Sequence, residues 1–94
     1  MFEIRREESG NIMLVGRLDA AQADNVRHTL DRVKESVIID FRELTYISSA
    51  GLGVLLATQK RLGNHGHSLN LINLNTHIKD IFLLAGFNLI FKID

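Results

Sequence analysis

Two adjacent serines, Ser48 and Ser49, stand directly before a small-residue apolar run, Ala50-Gly51-Leu52-Gly53-Val54-Leu55-Leu56. A serine hydroxyl can serve as a nucleophile, a helix cap or an acceptor of a phosphoryl group, and its surroundings decide which. The run after Ala50 reads as a helix, so both serines fall at its entrance. Unpaired amide groups and the positive end of the peptide dipole favour an anion there, including a phosphate carried on the hydroxyl itself. Serine is also among the preferred N-cap residues. The residues alone therefore leave a capping serine and a modified serine both open.

Other chemistries fit the same residues less well. Gly51 and Gly53 invite a dinucleotide reading, but the third glycine of that fingerprint would stand where Leu56 is. No glycine-lysine-serine or glycine-lysine-threonine phosphate loop occurs. The hydrolase nucleophile elbow wants glycine two residues before the serine, and that position is Ile47. His65 and His67 flank Gly66 in a loop, while His28 and His77 fall on separate expected helices, a dispersion that reads as surface histidines rather than metal ligands. With no cysteine there is neither a disulfide nor a thiolate site. The expectation is a protein without catalytic residues, metal or cofactor.

Composition narrows the partners. At 94 residues the chain reads as one domain over 1–94, with 46% apolar and 23% charged residues, as in ordinary globular proteins. Eleven basic residues balance eleven acidic ones, which argues against nucleic acid as a partner. The N-terminus, Met-Phe-Glu-Ile-Arg-Arg-Glu-Glu, lacks the hydrophobic core of a signal peptide. No apolar stretch approaches the roughly 20 residues needed to span a bilayer. The expectation is a cytoplasmic chain with no direct membrane insertion.

The elements that must position the serines follow from periodicity, which alternates between two and 3.6 as in mixed α/β folds. Phe2 to Arg6 and Asn11 to Arg17 read as an antiparallel strand pair turning at Glu8-Ser9-Gly10. Asp19 and Gln22 have capping-box spacing, and the helix they open places Ala23, Val26, Leu30 and Val33 on one stripe. Val37 to Phe41 reads as a central strand covered on both faces, followed by a short polar connection to the serines. A second helix runs from about Ala50 to Leu62 and stops at Gly63-Asn64. Ser68 to Ile72 is another strand. A third helix begins near Thr76, turns Ile78, Ile81, Phe82 and Ala85 inward and stops at Gly86. Leu89 to Ile93 reads as a short last strand. On the second helix Leu52, Leu55, Leu56 and Leu62 read as core, with Val54 and Ala57 on the opposite edge.

The order β-β-α-β-α-β-α-β, with Asp40-Phe41-Arg42, Tyr46-Ile47-Ser48-Ser49-Ala50-Gly51-Leu52-Gly53-Val54-Leu55-Leu56 and Gly16-Arg17-Leu18-Asp19, resembles a STAS domain, the sulphate transporter and anti-sigma factor antagonist module. It is most similar to the small bacterial anti-sigma factor antagonists. The resemblance covers essentially the whole chain. It implies a mixed β-sheet with helices packed mainly on one side.

By that resemblance Ser49, two residues before the first glycine of Gly-Leu-Gly, is the phosphoacceptor. Ser48, where members known for this switch usually carry Asp, is the second choice. The resemblance implies an anti-sigma factor as partner, itself a serine kinase of the histidine-kinase-like ATPase type, and a serine phosphatase that resets the switch. The unphosphorylated antagonist binds the anti-sigma factor and so releases a sigma factor. The expected partner-binding set is Asp19, Asp40, Ser48, Ser49, Ala50, Gly51, Gly53, Val54 and Ala57. In a second reading the chain is a regulatory or structural subunit of a membrane transport complex, with Ser48 and Ser49 as unmodified interface groups.

Overall fold

The computed structural model describes all residues, 1–94. β1 (Phe2–Arg6) and β2 (Ile12–Leu18) form an antiparallel hairpin; β3 (Val37–Ile47), β4 (Leu69–Ile72) and β5 (Lys92–Ile93) follow in parallel, giving one sheet in the order β1-β2-β3-β4-β5. The crossovers are α1 (Ala23–Leu30), α2 (Ser49–Gly63) and α3 (Thr76–Leu84). Each steps one strand in the same direction. Right-handed crossovers of that kind place all three helices on one face.

The strand burial pattern agrees with that arrangement. Ile12, Leu14, Ile39, Phe41, Leu69 and Leu71 are fully buried, while Ile38, Asn70 and Ile72, which alternate with them, are half-buried. Against this sheet α3 brings Phe82, whose ring meets Phe41, Phe87 and Phe91 at centroid distances of 6.0, 5.7 and 5.7 Å. Arg61 of α2 donates to the carbonyls of Leu30 and Val33, both at 2.8 Å, and so ties α2 to the end of α1.

Several expectations are corrected. The strand expected to end at Phe41 continues through Arg42–Tyr46 to Ile47. β4 pairs β3 only as far as Asp40, but β2 pairs it to the end, with register shifts between Met13 and Val15 and between Gly16 and Arg17. Asp19 precedes a 3-10 turn, Ala20–Gln22, and makes no side-chain cap. Ala85 is exposed rather than inward. The expected strand over Leu89–Ile93 is a 3-10 turn, Phe87–Leu89, followed by β5 at Lys92–Ile93 only. That turn lets Phe87 and Phe91, 6.1 Å apart, both reach Phe82. Gly86 does end the third helix's last turn, with φ of +75°.

Candidate functional site

The carboxyl ends of β2 and β3 lie side by side, with Leu18 opposite Ile47. The Ser48 amide then donates to the Leu18 carbonyl at 2.8 Å, extending the ladder by one bond. Immediately beyond, Ser48 becomes the N-cap of α2. Its backbone is extended (φ −86°, ψ 166°) and its hydroxyl oxygen accepts from the Gly51 amide at 3.1 Å. One serine is therefore spent on the cap. Ser49 is the first residue of the helix and its side chain is exposed.

What allows α2 to begin so close to the sheet is Gly51. A Cβ there would stand 2.8 Å from Leu18 Cγ and 3.2 Å from Ile47 Cγ1. The missing side chain lets the first turn sit directly on the two strand ends. Gly16, three residues before Asp19, has a related task in β2. Its φ is +90° and a Cβ there would run into the Met1 carbonyl.

The first turn of α2 carries no acidic residue. A negative group on Ser49 would meet the helix dipole without a carboxylate in that turn opposing it. Asp19 follows Leu18 in the neighbouring loop; one of its carboxylate oxygens is buried and has no hydrogen-bond partner. This group lies next to the residue that holds Ser48.

The expected partner-binding residues divide sharply. Ser49, Ala50, Gly53 and Ala57 are exposed along one side of α2, with Ser49, Gly53 and Ala57 spaced i, i+4, i+8 on one stripe. Gly53 has nothing within 4 Å of its would-be Cβ and borders a shallow recess of about 200 Å³ between α1 and α2. Gly51 is buried, and Val54, expected on the outer edge with Ala57, is only 3% exposed because α2 packs against α1 as well as the sheet. Both lie beneath the surface a partner would touch.

Asp40 is displaced furthest from its expected place. It lies eight residues before Ser48, roughly 25 Å along an extended strand. It is buried there, and its Oδ1 accepts from the Arg42 amide at 2.8 Å and from Asn73 Nδ2 at 3.1 Å. Asn73 has a left-handed φ of 61°, and Asp40 braces the register shift of β3 on β2 and the β4–α3 connection rather than the serine loop.

A neighbouring pair escaped the sequence reading. Arg17 and Tyr46 are cross-strand partners, and the guanidinium carbon lies 4.3 Å from the ring centroid. Tyr46 is two residues before Ser48. Arginine and tyrosine are enriched among the residues that dominate binding energy at interfaces. The signal for the pair is the register of β2 on β3, which depends on the shift at Gly16/Arg17.

A family model described as "Mlab, STAS domain" matches residues 2–92. The chain belongs to the STAS domain family. BtrV of Bordetella bronchiseptica, a candidate anti-sigma factor antagonist, is 34% identical over 84 residues, 85% of this chain and 72% of that one. The anti-sigma-B factor antagonist of Listeria monocytogenes is 31% identical over 98 residues, covering 98% of this chain and 86% of that one. Among solved structures, the Bacillus cell fate determinant SpoIIAA in its phosphorylated form superposes with a TM-score of 0.72 at 18% identity. The match covers all of this chain and 91% of that one. At that identity the likeness concerns the fold. The STAS fold puts Ser48 and Ser49 at the carboxyl end of the parallel strands, where open α/β sheets place their ligand sites. No helix is long and apolar enough to cross a membrane.

Proposed function

We infer that this STAS protein is an anti-sigma factor antagonist switched by phosphorylation at Ser49. Unphosphorylated, it binds an anti-sigma factor that is also a serine kinase of the histidine-kinase-like ATPase type, and a sigma factor is released. Phosphorylation breaks that contact, and a serine phosphatase restores it. The observation that carries the reading is the division of labour between the serines. Ser48 holds the cap, and Ser49 stands exposed on the outer stripe of α2. The names of the relatives from Bordetella and Listeria support the class of partner.

The physics of the switch follows from the site. A phosphoryl group adds about −1.5 to −2 charges at pH 7. On a free helix N-terminus it is tolerated or mildly stabilised, by up to about 1 kcal/mol, so the fold survives modification. Beneath a packed partner the same dianion must be desolvated. That costs several kcal/mol unless a cation meets it.

The test has two stages. Affinity capture from native cell extract is expected to recover a histidine-kinase-like ATPase, and incubation of that pair with ATP to place one phosphate on the chain. Peptide mass spectrometry should find it on Ser49, still present in Ser48→Ala and absent from Ser49→Ala. Recovery of membrane-transporter subunits, with no phosphate on either serine, would replace this reading with the transport-complex one.

A further inference from the structure

The sheet ends in two unlike edges. β5 is only two residues long, too short to template a further strand, whereas β1 presents five, Phe2–Arg6, and no strand pairs beyond it. The hydrogen-bond phase of β1 fixes which of its backbone groups are free. The Arg17 amide donates to the Met1 carbonyl at 3.0 Å and the Glu7 amide to the Asn11 carbonyl at 2.7 Å. Both bonds continue the register that sets Glu3 opposite Val15 and Arg5 opposite Met13, so these residues bond inward to β2. By the alternation of an antiparallel ladder, the amides and carbonyls of Phe2, Ile4 and Arg6 point out of the sheet.

The side chains of this edge alternate in sign as well as in face. Ile4 lies opposite the fully buried Leu14, so Phe2, Ile4 and Arg6 face the helices and Glu3 and Arg5 the other side. There Arg5 lies 3.5 Å from Glu3 and 3.6 Å from Glu43, with the Arg5 and Glu3 side chains still 45% and 52% exposed. Charges on an edge strand commonly keep other strands away. A run of one sign would repel a second copy in every register. Glu3 and Arg5, of opposite sign and two residues apart, repel it in some registers and attract it in one.

We propose that β1 pairs with β1 of a second copy of this chain, antiparallel about a two-fold axis at Ile4, joining the two five-stranded sheets edge to edge. Such a pair must bond outward residue to outward residue, so the central axes open to it lie at Glu3, Ile4 or Arg5. An axis at Glu3 sets two carboxylates directly opposite each other, and an axis at Arg5 sets two guanidiniums opposite. Like charges so placed are destabilising. With the axis at Ile4, each Glu3 faces Arg5 of the other copy, Ile4 meets Ile4, and the Arg6 guanidinium lies beside the Phe2 ring. Every outward amide and carbonyl of Phe2, Ile4 and Arg6 is then paired. The five residues of β1 fall well short of the roughly 20–30 a side of a standard interface. The dimer is therefore a weak one, with a dissociation constant between about 10 μM and 1 mM. It does not rest on the switch at Ser49.

The test is sedimentation equilibrium of the whole chain from about 10 μM to about 2 mM at low salt, with amide exchange followed by NMR at both ends of that range. A monomer–dimer equilibrium is expected. At the high concentration the amides of Phe2, Ile4 and Arg6 should exchange several-fold more slowly, while those of Glu3 and Arg5, already bonded to β2, should not change. Glu3→Arg and Arg5→Glu, each of which sets like charges opposite, should each weaken the dimer about tenfold. The double substitution Glu3→Arg/Arg5→Glu restores both opposite-charge pairs and the net charge, and should associate within about threefold of wild type. Asp80→Arg makes the same change of charge as Glu3→Arg but on the exposed side of α3, and should leave association unchanged. A chain that stays monomeric throughout, slowing confined to β5 or α2, or no recovery in the double variant would each overturn the proposal. So would slowing of the Phe2, Ile4 and Arg6 amides only when the anti-sigma partner is added, which would give this edge to that partner.

Discussion

On its inner side α2 presents Gly51, Val54, Leu55, Thr58 and Leu62, all buried, whereas its outer side presents Ser49, Ala50, Gly53 and Ala57, all exposed. Glycine occurs on both sides, two residues apart, for opposite reasons. At Gly51 the absent side chain is filled by Leu18 and Ile47; at Gly53 it is matched by open space. One side is specified by packing inside the chain. The other is free of internal demands, and there a site for a partner can be carried without cost to the fold.

The sharpest way to break that comparison is to enlarge Gly51. Gly51→Val forces a Cβ and two methyl groups into space held by Leu18 and Ile47, and overpacking of this kind costs about 1–3 kcal/mol, occasionally more. We expect the upper end, because Leu18 is pinned by its own backbone bond to Ser48. The thermal midpoint should fall by roughly 10–20 °C, at about 4–8 °C per kcal/mol for a domain of this size. A midpoint within about 2 °C of wild type would show that the inner side is not tightly specified.

Next in size is the effect of charge on the outer side. Ser49→Asp should leave the melting temperature nearly unchanged yet weaken binding of the captured anti-sigma partner by about 1–3 kcal/mol, roughly ten- to a hundred-fold. Ser49→Ala should bind as wild type does and no longer respond to the kinase. Asp carries one charge where phosphoserine carries nearly two, so the authentic phosphoprotein should bind more weakly still. Equal affinities by titration calorimetry for wild type, Ser49→Asp and the phosphoprotein would leave Ser49 without a switching role.

Ser48→Ala tests the boundary between the two sides. Loss of an N-cap hydroxyl typically costs about 1 kcal/mol, here the bond to the Gly51 amide. Denaturant unfolding should register that loss while the kinase still delivers one phosphate. Unchanged stability together with loss of the phosphate would exchange the roles assigned to the two serines.

How far these sides could be read from sequence depends on where the information lies. The entrance itself was legible, because serine before a small-residue helix is a local pattern, and so was the succession of strands and helices, which rests on periodicity. The second half of β3 was hidden. Arg42, Glu43 and Thr45 are exposed because only β2 covers that stretch, so its pattern resembles a loop. Val54 was misplaced because a helix buried against both a sheet and another helix has a wider apolar arc than one stripe predicts. Asp40 and Asp19 both stand beside strand residues in familiar motifs, yet only the length of β3 reveals that Asp19 lies by the serine entrance and Asp40 well away from it. Leu89–Ile93 is an apolar run of strand length, but the tertiary demand that Phe87 and Phe91 meet Phe82 overrides it.

The smallest expected effect, at Gly53, separates stability from binding most cleanly. Glycine in a helix interior is destabilising by roughly 0.5–1 kcal/mol relative to alanine, and a methyl group at this position meets nothing within 4 Å. Gly53→Ala should therefore raise stability by up to about 1 kcal/mol, in contrast to any enlargement at Gly51. If the outer stripe is the docking surface, the same methyl group intrudes on a partner packed flush against α2, and affinity should drop by less than about tenfold. A gain in stability with a loss in affinity would show that Gly53 is kept small for something outside the chain. A gain in stability with unchanged affinity would move the partner's footprint toward Ser49 and the Arg17–Tyr46 pair, away from the middle of the helix. Lost stability would mean that the open space beside Gly53 is needed by the fold itself, and the two sides of α2 would then be governed by the same rule.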